Sequence, residues 1–223
     1  MKTRKKYCTS PKKNILNKID YGKLRAKPEE EDFSGKYEDS NFISHYLVNN
    51  YFKSVARLLE LTINVNSAHE IGIGEGRSTQ RLKNLIDNLS GSEFLEKLIP
   101  IAQKNNPELN IFQESIYELK FKNKSVDLVL LLEVLEHLDY PELALKEISR
   151  VSKKYLLIGI PNEPLWRILN IFRLKYLKDL GNTPGHLNHW SKKSFIKLIQ
   201  RNYGNVIAVE SPLPWTIVLA EKY

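Results

Sequence analysis

The chain has 223 residues, of which 42% are hydrophobic and 27% charged, and its formal net charge is +8. That length supports one α/β domain with a full core, and the composition excludes disordered and fibrous classes. No apolar run approaches the roughly 20 residues that span a bilayer, so no membrane span is expected.

Residues 1–35 read as a basic, flexible tail that ends in the charged stretch Lys27-Pro28-Glu29-Glu30-Glu31-Asp32. The single cysteine, Cys8, lies in it, which excludes an internal disulfide and fits a reducing cytoplasm. Residues 36–223 read as one domain. Apolar residues at helical spacing (Phe42, Tyr46, Leu47, Phe52, Val55, Leu58, Leu59) predict cap helices over 36–61. A strand over 68–72 then runs into a glycine-spaced turn, and Leu82, Leu85, Ile86 and Leu89 predict a helix over 78–89. Further strands are expected over 89–92, 109–113, 126–132 and 155–160, with helices over 94–104 and 141–151. The segment 126–132 is almost wholly apolar after Asp127, as a central strand covered on both faces should be. This alternation implies a doubly wound, mainly parallel sheet with right-handed crossovers. Residues 162–190 break the pattern with a helical patch and a loop containing Gly185-His186-Leu187-Asn188-His189-Trp190. Ser191 can cap a following helix that Gly204 stops. Strands over 206–209 and 215–220, separated by Pro212 and Pro214, suit an antiparallel final pair.

The run Glu70-Ile71-Gly72-Ile73-Gly74-Glu75-Gly76 carries the strongest signal. Glycine at every second position allows a tight turn, exposes backbone N–H groups and lets a ligand approach with no Cβ in the way. A parallel α/β sheet binds ligands, nucleotides among them, at such a strand end next to a helix N-terminus, although glycine-rich turns also occur for purely structural reasons. An acid ending the next strand would then accept the two hydroxyls of a ribose. Glu93 is so placed, with Asp87 as the earlier alternative; an ordinary helix-start carboxylate is the structural reading of Glu93.

Taken together, EIGIGEG (70–76), GSE (91–93), SVDLVLLLEVLEHL (125–138), LALKEISRV (143–151) and IGIPNEP (158–164) resemble a class I S-adenosylmethionine-dependent methyltransferase of the broad small-molecule group. The order and spacing of the five segments carry the resemblance. A nicotinamide dehydrogenase would share the glycine turn but not the segment 125–138. The resemblance implies a seven-stranded, Rossmann-like sheet with an antiparallel last strand and S-adenosylmethionine at its C-terminal edge. Glu70, Gly72, Ile73, Gly74 and Gly76 would lie near the amino-acid portion, Glu93 at the ribose, Ser115 and Ile116 at the adenine, and Leu132 and Glu133 beside the sulfonium. The family usually has an acid where Ser115 stands, and the neighbouring Glu114 is the expected substitute.

Glu133, Glu136 and His137, spaced i, i+3 and i+4, would share one face of a helical turn and could bind a divalent cation such as magnesium with His186. The layout resembles the E-x-x-E-H of ubiquinone-pathway O-methyltransferases and of small-RNA 3′-terminal 2′-O-methyltransferases, the latter with a later histidine loop. Without a metal, His137 would serve a neighbouring loop. His186, His189 and His137 are the catalytic candidates, residues 162–190 the acceptor wall, and Trp166, Trp190 and Tyr176 candidate lining groups. The expected activity is methyl transfer to a small-molecule acceptor at oxygen. The alternatives are RNA 2′-O-methylation using a metal, and a non-catalytic binding protein that keeps the cofactor fold.

Overall fold

A computed structural model describes residues 19–20, 23–27 and 42–223. The expected tail thus lies largely outside the described residues, as do residues 36–41 of the expected cap. The described part of the tail is docked: the backbone N–H groups of Arg25 and Ala26 donate to the Asp139 carboxylate at 3.0 and 2.9 Å.

Strands β1 (Ala68–Ile71), β2 (Leu89–Glu93), β3 (Asn110–Gln113), β4 (Val126–Leu132), β5 (Ser152–Pro161), β6 (Gly204–Glu210) and β7 (Trp215–Lys222) form one seven-stranded sheet. Its order is β3-β2-β1-β4-β5-β7-β6. Neighbours from β3 through β5 pair in parallel, whereas β7 is antiparallel to both β5 and β6. The fully buried β4 sits between β1 and β5. Its side chains alternate as the pleat requires. Leu128, Leu130 and Leu132 face a layer with helix α1 (Phe42–Leu59) and helix α2 (Arg77–Leu82), where they meet Val55, Leu58 and Leu82. Val129 and Leu131 face helix α4 (Pro141–Val151) and helix α6 (Lys192–Asn202), meeting Leu145, Ile148, Phe195 and Ile199. Helix α3 (Ile99–Asn105) covers the β2–β3 side through Ala102, Ile73 and Ile111, and helix α5 (Leu165–Phe172) lies in the 162–190 segment.

Three expected elements are corrected. The helix expected over 78–89 stops at Leu82; Asn84, Asp87 and Asn88 are poor helix formers, and Asn88 takes a left-handed φ of 52°. The helix expected over 94–104 begins as a 3-10 turn, Glu96–Leu98, and becomes α-helical only at Ile99, where Pro100 occupies the first turn. Gly204 opens β6 rather than ending α6 in a left-handed cap; a Cβ there would stand 2.1 Å from the carbonyl oxygen of Glu221. Close strand approach, not turn geometry, requires that glycine.

Candidate functional site

Register brings the ends of four parallel strands to one edge. Ile71 pairs with Ser92 and with Leu131, and Leu132 pairs with Gly159. The glycine turn, Glu93, Glu133 and Pro161 all leave the sheet at this edge, where an open α/β sheet binds its ligands.

The glycine turn is held from below. Gly72 and Ile73 donate backbone N–H bonds to the Ser92 carbonyl at 2.9 and 3.1 Å, and Asn106 donates to the Gly76 carbonyl at 2.9 Å. All three glycines have positive φ, at 72°, 56° and 77° for Gly72, Gly74 and Gly76. Their surroundings differ. A Cβ at Gly72 would meet Val134 at 2.6 Å and one at Gly76 would meet Asn106 at 2.4 Å, so these two are packed. Among the described residues a Cβ at Gly74 would meet nothing within 4 Å, so the middle of the turn opens onto free space.

Glu93 borders that space. One of its carboxylate oxygens accepts the Gly74 N–H at 2.8 Å, and the other accepts the N–H groups of Phe94 and Leu95 at 2.9 and 3.0 Å. A carboxylate has about four lone-pair positions, so one remains, on the oxygen that accepts from Gly74, for a hydroxyl donor. Asp87, the alternative acid, is exposed in the turn that precedes β2, away from this edge. Glu70 is placed under the turn: at 1% exposure, it accepts the Ser78 and Thr79 hydroxyls at 2.8 and 2.7 Å. Burial pushes its carboxyl up, and the two hydroxyls partly offset the shift. It braces the turn and does not face the opening. Ile73 likewise turns its side chain into the core beside Ala102 and Ile111, leaving only its backbone to the site.

Ser115 follows β3 and forms an isolated bridge with Glu118, and Ile116 is buried. The expected substitution by Glu114 is contradicted. Its side chain turns inward to His69 Nε2 at 3.0 Å and accepts the Lys120 N–H. Burial alone would raise the Glu114 carboxyl; His69 and the Lys120 and Ser92 donors outweigh it and hold it below its ordinary value. The sequence gives no sign of this buried network, because His69 sits in a strand whose partners Ser90, Ser92 and Glu114 come from the two neighbouring chain segments.

The second constellation forms after β4. Leu135–His137 is a single 3-10 turn, not an α-helical face, so the expected i, i+4 set does not assemble. Glu133 takes a left-handed φ of 60°, which a residue with a Cβ adopts rarely, and its carboxylate accepts Trp215 Nε1–H at 2.8 Å. It does not join the cluster of ligand atoms formed by its neighbours. Glu136, His137 and His186 do converge, each offering a ligand atom within 4.8 Å of the others. Backbone bonds bring His186 there: the N–H groups of Leu187 and Asn188 both donate to the Glu136 carbonyl, at 2.9 and 3.0 Å. The Asn188 side chain adds a 2.6 Å bond to the Leu138 carbonyl. His189 stays outside the cluster, exposed, with Nε2 against Asn182 Oδ1 at 2.6 Å. Burial and then the charge of Arg167 lower its pKa.

Aromatic rings line the same edge. The chain Tyr51, Trp215, Trp166, His186, His137 has successive ring centroids 5.1, 5.8, 5.9 and 4.9 Å apart. Of the expected lining groups only Trp166 takes part; Trp190 packs on Phe195 and Tyr176 lies on the surface. Tyr51 and Trp215 were not expected. Trp215 could have been, since a strand running antiparallel beside β5 sets its first residue opposite Pro161 at the site edge.

Residues 69–157 match the family model described as a methyltransferase domain. No curated protein matches the chain in sequence. Among solved structures, a S-adenosylmethionine-dependent methyltransferase from Thermotoga maritima is 20% identical, with a TM-score of 0.61 over 82% of this chain and 96% of that one. Magnesium protoporphyrin IX methyltransferase from Synechocystis PCC 6803, solved with S-adenosylhomocysteine, is 18% identical, with a TM-score of 0.62 over 82% of this chain and 88% of that one. A protein from Pyrococcus horikoshii is 14% identical, with a TM-score of 0.63 over 82% and 93% of the two chains. At these identities the structures speak to fold, and the family match covers the segments that build the glycine turn and the β4 edge. The described chain thus has the fold of class I methyltransferase structures, and its residues 69–157 match the methyltransferase-domain model.

Proposed function

We propose that the chain transfers a methyl group from S-adenosylmethionine to a hydroxyl oxygen of a small-molecule acceptor. The observation that carries the donor side is the open space over Gly74 with the Glu93 carboxylate at its border. Bound there, S-adenosylmethionine would supply a methyl group already activated on a sulfonium. The Gly72–Gly76 backbone would hold its amino-acid portion, and Glu93 would accept a ribose hydroxyl at its remaining lone pair. The Ser115–Ile116 segment would border the adenine, and Leu132 and Glu133 the sulfur. Glu70 would act by positioning the turn through Ser78 and Thr79.

On the acceptor side, Trp166 and Trp215, backed by the buried Tyr51, offer flat apolar surface next to a polar trio, Glu136, His137 and His186. Placement does most of the work in moving an activated methyl group, because in-line orientation replaces an improbable encounter. A hydroxyl acceptor must also lose its proton, and an imidazole of the trio is suited to accept it. The trio also has the donor set of a cation site. One carboxylate and two imidazoles suit a first-row transition ion better than magnesium, and three protein ligands leave positions open. Such an ion would lower the pKa of a bound hydroxyl.

The second reading, an RNA 2′-hydroxyl acceptor, is favoured by the net charge of +8 together with the same trio. The test is transfer of labelled methyl from S-adenosylmethionine to hydroxyl-bearing aromatic acceptors and, separately, to short RNA ends. Label in the small molecules alone supports the first reading; label in RNA, with affinity falling steeply as salt rises, replaces it with the second. With a working acceptor, loss of activity on chelation and its return with manganese assign the trio to a cation. Full activity throughout chelation leaves it to proton transfer.

A further inference from the structure

Residues 171–180 are all exposed, although six of the ten are large and apolar. Phe172 is 80% exposed, Leu174 78%, Leu180 71% and Leu177 51%, and Ile168 and Ile171 extend the patch along α5. An exposed apolar surface of this extent on a folded domain marks an interaction site. The segment is not a loose loop that happens to point outward. Lys175 N–H donates to the Asn170 carbonyl, Gly181 N–H to that of Tyr176, and Asn182 N–H to that of Asp179, at 2.8, 2.9 and 3.0 Å. The Asn170 side chain ties the segment's far end through the Gly181 carbonyl at 2.9 Å. Leu174, Tyr176 and Leu180 even take left-handed φ values of 56°, 54° and 51°, costly for bulky residues. The backbone is pinned in a shape that presents the apolar side chains to the outside.

What covers them is indicated by the charge between them. Arg173, Lys175 and Lys178 alternate with the apolar residues, and Asp179 is the one acid in 165–180. Lysine is depleted from the buried part of protein–protein interfaces. At a bilayer surface the same mixture is favourable, since Phe and Leu side chains enter the headgroup–acyl boundary while Lys and Arg stems lie along it with their charges among anionic headgroups.

We infer that residues 168–180 form a ledge that docks the protein on an anionic lipid bilayer. Trp166, on the same helix as Ile168 and Ile171, lies with its ring centroid 5.9 Å from His186 and 5.8 Å from Trp215, so a docked ledge holds the candidate acceptor site next to the lipid. The inference does not depend on methyl transfer, because vesicle binding needs neither donor nor acceptor.

The experiment is flotation of the full chain with phosphatidylcholine vesicles, either pure or with a third of the lipid replaced by phosphatidylglycerol. Binding to the mixed vesicles is expected, together with a loss of about tenfold or more in the double variant Phe172→Gln, Leu174→Gln and in the charge variant Lys175→Glu, Lys178→Glu. These side chains are exposed, and unchanged circular dichroism checks that the variants fold. Absence of binding overturns the inference. Equal binding of parent and variants also does so, by moving the contact elsewhere, as to the basic residues 2–13. Equal binding to neutral and anionic vesicles removes the anionic commitment. Self-association abolished by the apolar variant, without vesicle binding, makes the ledge an interface between copies instead.

Discussion

At the scale of single residues, the three glycines of the turn look alike in sequence and differ in what surrounds them. Gly76→Ala drives a Cβ into Asn106 and Ala102 and adds strain at a φ of 77°, so it should lower the melting temperature clearly. Gly74→Ala meets no neighbour and carries only the strain of a left-handed φ, so it should fold while losing donor affinity, because its methyl enters the open space. Paired melting and binding measurements on the two variants check this split; equal binding by Gly74→Ala would place the donor elsewhere. For Glu93→Ala, loss of one carboxylate hydrogen bond to the ligand, worth about 1.5–3 kcal/mol, weakens S-adenosylhomocysteine binding by roughly tenfold to a hundredfold. Glu93→Gln, which can still accept the Gly74 N–H, should fall between. The placement of Glu93 and the glycines at one strand edge was legible because it depends on local spacing along the chain. The adenine-side placement of Glu114 and the place of Glu133 in the cation cluster were misread for the opposite reason. The direction of each carboxylate is set by a partner distant in sequence, His69 in one case and Trp215 in the other.

At the scale of elements, the base of β4 is tied to the entry of β1 by Asp127, which accepts the Asn66 N–H and the Ser67 hydroxyl at 3.0 and 3.1 Å and pairs with Lys153 at 2.9 Å. Burial alone would raise this carboxyl, and Lys153 with the two donors outweighs burial and holds it below its ordinary value. A depressed folded pKa means stability that is present above the unfolded value and lost as pH falls through the folded one. Asp127→Asn should melt several degrees below the parent at neutral pH, at roughly 2–4 °C per kcal/mol lost for a chain of this size. The gap should close as the pH drops below the ordinary carboxylate range, and a gap constant with pH would contradict the assignment. Every strand was legible in place, because continuous apolar runs between turn residues allow little else, although β5, β6 and β7 run two to four residues longer than their apolar runs. Helix ends were not: α2 stops at Leu82 although Leu85 and Ile86 continue the apolar spacing, and Leu85 is left exposed. Periodicity registers side chains, and the Asn-rich stretch that ends the helix acts through the backbone.

At the scale of the whole molecule, alternation of strands and helices implied the doubly wound sheet, and the proline-separated final strands implied the antiparallel reversal at β7. The meeting of His186 with Glu136 and His137 was only half legible. The residue types suggested it, but the loop 183–190 reaches the turn after β4 through backbone bonds to the Glu136 carbonyl, which any sequence could make. The ledge at 171–180 shows the same limit, since apolar residues in an acceptor wall read as core until their exposure is seen. The donor site at the joined ends of β1 and β2 is the centre of the proposal, and calorimetric titration of the intact chain with S-adenosylhomocysteine tests it most directly. Saturable binding of one ligand per chain, weakened by Glu93→Ala in a variant that remains folded, is the predicted result. No heat of binding to the folded chain, confirmed by an unshifted melting temperature at saturating ligand, would contradict it.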